Sequence, residues 1–201
     1  YEVEGDYSQA AFYVVSNMLG SKIKLLGIKP NSKQGDKEII DIAKRFGAEI
    51  IEKDNSLEVK PFNELKATDV DAKNCPDIIP VVAVLASVAK GRTIIYNAKR
   101  LRIKECDRLN AIATELKKLG AKIVEEEDRL IIDGVDSLEF KEELWSFKDH
   151  RISMALAIAS SVCKNEIIIR DYDCVSKSYP GFYEDFKNLG GVLWEQHGEI
   201  K

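Results

Sequence analysis

Three stretches decide the fold: GDYSQAAFYVVSNMLG at residues 5–20, CPDIIPVVAVLASVAKG at 75–91 and KDHRISMALAIASSVCKN at 148–165. Each places an aspartate just ahead of a long apolar run, and Asp6, Asp77 and Asp149 stand 71 and 72 residues apart. A second motif recurs behind the first, as KRFGAEI, KKLGAKI and KNLGGVL. Its glycines, Gly47, Gly120 and Gly190, are 73 and 70 residues apart. Self-similarity at a long fixed period is the mark of a repeated supersecondary unit. Each aspartate suits a helix N-cap, where a carboxylate accepts orphan backbone N–H bonds. Each glycine suits a helix C-terminus that must turn through positive φ.

Between the helices lie β-branched runs, Ile23 to Leu26, Thr93 to Tyr96 and Glu166 to Ile169, which read as buried strands. Behind the capping glycines, Glu49 to Ile51 with Leu57 to Val59, and Lys122 to Val124 with Leu130 to Ile132, read as hairpins. The unit is therefore β-α-β-α-β-β, with boundaries near 1–60, 61–133 and 134–201. A helix is predicted from Lys104 to Leu119, whose Leu109, Ile112, Leu116 and Leu119 make a single apolar face. Three such units pack helices inside and sheets outside, an α/β chain of the α+β type. The third unit reads as incomplete. After Val192 to Trp194 only EQHGEIK follows, with no strand to return, so an open sheet edge is expected there. The abrupt start on a strand and helix reads as a piece of a larger protein; on periodicity alone, a self-sufficient repeat domain is the alternative.

Composition limits the function classes. Of 201 residues, 45% are hydrophobic and 32% charged, the balance of an ordinary globular chain. No apolar run approaches the roughly 20 residues that span a bilayer. The opening YEVEGDYSQAAF is acidic where a secretory signal is basic, so a cytoplasmic protein is expected. A net charge of −4 argues against a nucleic-acid surface. Cys75, Cys106, Cys163 and Cys174 form no CxxC pair and only two histidines are present, which suggests neither zinc nor a disulfide framework.

The charged residues that remain near the helix starts fall into three clusters. In RIKECDRLNAIATELKKLGA, Lys104, Glu105 and Arg108 are expected in one first helical turn, where two cations oppose the macrodipole unless an anion is bound. In KDHRIS, Asp149 reads as the cap and Arg151 offers a planar fork for a carboxylate or phosphate, while His150 by itself reads as a packed histidine. In CVSKSYPGFYEDF, Lys177 sits in a loop at the repeat position of Lys104. Taken singly, each cluster also reads as a solvated face or a plain cap. A three-fold repeat, however, brings Asp77, Lys104, Glu105, Arg108, Arg151 and Lys177 to one rim as an anion site.

NSKQGD at 31–36, CPDIIPV around Asp77, RIKECDRLNAIATELKKLGA, KDHRISMALAIAS and CVSKSYPGFYEDF occur in the order in which similar motifs occur in 5-enolpyruvylshikimate-3-phosphate synthases, and this chain resembles that family along nearly its whole length. The resemblance implies the second lobe of a two-lobed enzyme, with the amino-terminal lobe absent. It also implies a glyphosate target of the shikimate pathway that uses neither metal nor organic cofactor. By position, Asp77 corresponds to the carboxylate that holds the 5-hydroxyl of shikimate 3-phosphate, and Glu105 to the acid that serves the phosphoenolpyruvate methylene. Arg108, Arg151 and Lys177 correspond to phosphoenolpyruvate-binding cations, and Lys104 to a shikimate 3-phosphate contact. Where some members carry a shikimate-contacting asparagine this chain has Arg100, with Asn97 three positions earlier, so that contact stays unassigned. The related UDP-N-acetylglucosamine enolpyruvyl transferases and a non-catalytic anion-binding repeat are the competing readings.

Overall fold

The three apolar runs fold into α1 (Tyr7–Met18), α3 (Ile79–Val88) and α5 (His150–Ser160), which pack on one another at the centre. They are apolar on nearly every side, so only a position enclosed by other elements buries them fully. Val81, Val82, Val84 and Leu85 of α3 are completely buried, each contributing roughly 1.5–3 kcal/mol. The remaining helices, α2 (Glu38–Arg45), α4 (Arg108–Lys118) and α6 (Phe182–Asn188), are one-sided. In α2, Ile39, Ile40, Ile42 and Ala43 face the core; in α4, Leu109, Ile112 and Leu116 do.

This computed structural model describes residues 3–53, 55–60, 64–196 and 199–200. Three sheets surround the helices, and each draws on one stretch of chain. The first has the order β1 (Leu25–Leu26), β3 (Ser56–Lys60), β2 (Glu49–Lys53), all antiparallel. The second is β4 (Val70–Asp71), β5 (Arg92–Tyr96), β7 (Leu130–Asp133), β6 (Lys122–Glu125), with a parallel first pair and antiparallel partners after it. The third repeats that pattern as β8 (Leu144–Trp145), β9 (Ile169–Arg170), β11 (Glu199–Ile200), β10 (Glu195–Gln196). The expected β-α-β-α-β-β order is thus present in the second and third units, whereas the first shows only α-β-α-β-β among the described residues; an added 3-10 helix precedes each second helix, at Gly35–Lys37, Lys99–Ile103 and Tyr172–Lys177.

The third sheet corrects the expected open edge. Glu199–Ile200 pairs antiparallel with Ile169–Arg170 and also with Glu195–Gln196, so the tail itself supplies the return strand. Val192 to Trp194 forms no strand; the polar EQ does. Backbone pairing is indifferent to side-chain polarity at an outer edge, which is why hydrophobic patterning missed it. The other predicted strands exist with shifted ends.

Local signals account for the helix ends. Asp6 and Asp149 are N-caps, each accepting a backbone N–H at 2.8 Å, from Ser8 and Arg151. Gly47, Gly120 and Gly190 sit at φ 106°, 85° and 105°, behind α2, α4 and α6. Two expectations fail. Asp77 is no cap, because α3 starts at Ile79 with Pro80 in its first turn and Ile78 ahead of it. The helix predicted from Lys104 begins only at Arg108, where Asp107 accepts the Asn110 N–H at 3.0 Å. Arg102 clamps that cap, bonding Asp107 at 2.8 Å and Glu125 at 2.9 Å.

Candidate active site

Because the second helix starts late, Lys104 and Glu105 approach the α3 and α5 starts from a non-helical segment. Arg108, the first residue of α4, is 1% exposed and reaches three carboxylates at once. Its Nε donates to Asp149 Oδ2 at 2.7 Å, Nη1 to Asp77 Oδ1 at 2.7 Å, and Nη2 to Glu105 Oε2. Lys104 Nζ joins the same Asp77 oxygen at 2.8 Å. The resemblance gave Arg108 a substrate-binding part; the geometry makes it first the hub of a buried ionic cluster. No sequence spacing linked Arg108 to Asp149, 41 residues on.

Two groups with opposite perturbation share this cluster. Burial pushes the Asp77 carboxyl up, but the ammonium of Lys104 and the guanidinium groups of Arg108 and Arg151 outweigh it and hold it below the usual aspartate value. Asp77 is therefore ionised at neutral pH. Burial would lower Arg108, yet its bond to Asp149 and the neighbouring carboxylates raise it further. Cys106, beside Asp149, is pushed up to about 12 by burial and by that carboxylate, so it carries no thiolate chemistry at neutral pH.

Arg151 differs from Arg108. It is buried in the first turn of α5, its guanidinium carbon 5.9 Å from the Phe12 ring centre, and among the described residues its Nε and Nη1 have no hydrogen-bond partner. Asp77, Asp6 and Asp36 act on it through space, but desolvation wins and lowers its pKa. A buried guanidinium with unmatched donors is what an anion site presents before its anion arrives. His150 also keeps a buried Nδ1 without a partner among the described residues, and burial followed by the Arg151 charge lowers its pKa below the usual value.

Lys177 ends the 3-10 helix Tyr172–Lys177 instead of lying in an open loop, and its Nζ donates to the Lys148 carbonyl at 3.2 Å. Lys104 directly follows the equivalent 3-10 helix Lys99–Ile103, so the repeat correspondence between the two lysines holds. Asp77, Lys104, Glu105 and Arg108 thus meet in one ionic cluster, Arg151 lies within electrostatic reach of Asp77 and Arg108, and Lys177 touches the backbone just ahead of α5. A cavity of about 830 Å³ opens instead near the other end of α1, beside Leu19, Lys22 and Lys60, and none of the six lines it.

Asp36, in the NSKQGD stretch, went unnoticed in the sequence. It is buried, its Oδ2 accepts from the Ser8 hydroxyl, and burial raises its pKa despite that bond. A folded-state pKa above the unfolded one means that Asp36 favours the fold at low pH and loses this contribution as pH rises through the folded value. Asp36→Asn is accordingly expected to raise the melting temperature at pH 7. The gain should shrink as pH falls toward the ordinary aspartate value of about 3.9. A lower melting temperature at pH 7 would show that the Asp36 charge is needed where it is.

The fold agrees with solved enolpyruvyl transferases. The chain superposes on EPSP synthase from Acinetobacter baumannii with a TM-score of 0.82 at 27% identity, covering 94% of this chain and 46% of that one. It matches the fold of the enolpyruvyl transferase NikO from Streptomyces tendae with a TM-score of 0.74 at 18% identity, covering 94% of this chain and 44% of that one. These define one lobe of the enolpyruvyl transferase fold.

Residues 1–186 match the family model of EPSP synthase (3-phosphoshikimate 1-carboxyvinyltransferase), and the chain belongs to that family. Curated relatives named 3-phosphoshikimate 1-carboxyvinyltransferase include one from Clostridium beijerinckii, 57% identical over 97% of this chain and 45% of its own length. Another, from Clostridium perfringens strain 13, is 58% identical over 98% of this chain and 46% of its own length. The chain thus spans about half the length of the curated relatives it matches.

Proposed function

We propose that this chain supplies one of two lobes of a cytoplasmic transferase that moves the enolpyruvyl group of phosphoenolpyruvate onto the 5-hydroxyl of shikimate 3-phosphate and releases phosphate. Membership of the family and identity above 50% to its carboxyvinyltransferases support the reaction. No described helix is long and apolar enough to cross a membrane. The observation that carries the site is the Arg108 fork, which holds Asp77 on one arm and Glu105 on another.

In this reading Asp77, kept ionised, accepts the 5-hydroxyl hydrogen as its oxygen adds to C2 of phosphoenolpyruvate, while Glu105 delivers a proton to the methylene carbon. Elimination then returns a methyl proton to Glu105 and expels phosphate, which carries off the proton taken up by Asp77, and the new enol ether is formed. One guanidinium fixing both carboxylates gives the acid and base a set separation, the kind of pre-orientation that supplies roughly 7–11 kcal/mol of a barrier. Lys104, paired with Asp77, holds the shikimate 3-phosphate side. Arg151, with its unmatched donors, and Lys177 bind phosphoenolpyruvate and stabilise charge on its carboxylate and departing phosphate. Arg108 adds the two N–H groups left from its five after its three carboxylate bonds. No cofactor, nucleic acid or membrane takes part.

The test is phosphate release from phosphoenolpyruvate plus shikimate 3-phosphate. This chain alone is expected to give none, since an open half-cleft neither aligns nor desolvates two substrates. It should bind inorganic phosphate weakly, and added salt should weaken that binding further. Mixing with a separately produced first lobe, or using the full-length protein, should give turnover that Asp77→Ala removes. Turnover by the chain alone, or full activity in Asp77→Ala, would overturn the assignment.

A further inference from the structure

Among the described residues, five without glycine's freedom adopt positive φ, and three of them meet at one knot just ahead of α5: Phe147 at 54°, Lys148 at 56° and Asp171 at 55°. Consecutive left-handed residues with bulky side chains are strained, and such strain persists only where the surroundings over-determine it. Here the surroundings converge on Ser146, which is fully buried. Its Oγ donates to the Asp171 carbonyl at 2.9 Å and accepts the Lys148 N–H at 3.1 Å. Its own N–H donates to the Arg170 carbonyl at 3.2 Å, and its carbonyl accepts the Asp149 N–H at 3.0 Å. Trp145 stacks on Phe147 with ring centres 4.1 Å apart, and its indole N–H donates to Asp171 Oδ2 at 2.8 Å.

Two features adjoin this knot. Downstream, the Ser146 carbonyl leads into Asp149, whose own carboxylate caps α5 and bonds Arg108, so the start that carries Arg151 does not depend on the Ser146 hydroxyl. Sideways, the carbonyl of left-handed Lys148 receives the Lys177 ammonium at 3.2 Å. Lys177 is exposed on a flexible stem, and in a relaxed turn that carbonyl would point elsewhere.

We propose that Ser146 is a positioning residue for phosphoenolpyruvate binding, holding the Phe147–Lys148 turn left-handed so that Lys177 is parked beside the Asp149–Arg151 helix start. This rests on the reading of Lys177 as a phosphoenolpyruvate-binding cation. Ser146 touches no substrate in this scheme; it acts through Lys177.

The experiment uses the full-length, two-lobed enzyme in a cycle of wild type, Ser146→Ala, Lys177→Ala and the double variant, with KM for each substrate and a melting curve. Ser146→Ala should lower kcat/KM for phosphoenolpyruvate about tenfold, the scale of one or two lost hydrogen bonds. The KM for shikimate 3-phosphate should stay within about twofold. In the Lys177→Ala background the same change should cost almost nothing further. Full additivity, or equal losses for both substrates, would make Ser146 a folding residue only and overturn the proposal. Should Ser146→Ala melt below the assay temperature, Ser146→Cys takes its place, being nearly isosteric with a weak donor and acceptor. If Lys177→Ala leaves phosphoenolpyruvate kinetics unchanged, the reading of Lys177 itself has failed and the positioning role goes with it.

Discussion

Arg108→Met is expected to leave little folded protein, through stability and not only through lost substrate contact. The substitution keeps much of the side chain's length but removes the charged partner of a wholly buried Asp149 and one of the two cations on a half-buried Asp77, which keeps Lys104. Breaking a buried ion pair on one side costs roughly 3–5 kcal/mol, because the stranded charge is neither solvated nor paired. That is a large share of the 5–15 kcal/mol that typically holds a domain together. Urea denaturation reads the effect as a fall in midpoint. Adding Asp149→Asn to Arg108→Met should restore part of it, since asparagine still caps a helix but brings no charge. Acid gives a second reading. Asp77 has a depressed folded pKa, so its stabilisation is present above the unfolded value of about 3.9 and is lost as pH falls through the lower folded value. Without Arg108 that loss should begin at higher pH. An Arg108→Met unfolding free energy within about 0.5 kcal/mol of wild type would remove Arg108 from the centre of the cluster.

Arg151→Leu should do the reverse. Two of the Arg151 nitrogens are buried without partners among the described residues, and desolvation dominates its electrostatics, so its charge costs the folded state energy that an apolar side chain does not. The contact with Phe12 is apolar enough to suit leucine. The melting temperature is expected to hold or rise. In the full-length enzyme, kcat/KM for phosphoenolpyruvate should fall by about 100-fold or more, as when a preorganised donor to developing charge is removed. A stability exchanged for function in this way is common at binding sites. A large loss of stability in Arg151→Leu would mean that the arginine is a structural ion after all.

The two arginines look alike in the sequence, each a cation near a helix start, and nothing local separates them. Their difference lies in what comes near from elsewhere. Arg108 meets carboxylates 31 and 41 residues away as well as Glu105, whereas among the described residues the Nε and Nη1 of Arg151 find no partner. The same limit applies to Asp36 and Ser146. Each is an unremarked polar residue in its own neighbourhood, and each becomes important only through burial and partners set by chain crossings.

What the sequence by itself determined is what local chemistry dictates. The Asp6 and Asp149 caps, the positive-φ glycines behind α2, α4 and α6, the all-round apolar runs and the 70-residue repeat follow from short-range rules, and they sufficed for helices inside and sheets outside. Where two local rules competed, the reading slipped. Amphipathic spacing carried the fourth helix back to Lys104, whereas Asp107, clamped by Arg102, capped it four residues later. Apolar patterning ended the third unit at Trp194, whereas backbone hydrogen bonding recruited the polar tail. Only the tertiary structure decided which charges are paired and which are left waiting. Pairing depends on distances of a few ångströms between segments far apart in the chain, and a desolvated charge is costly or useful according to whether one of those segments delivers its counterion.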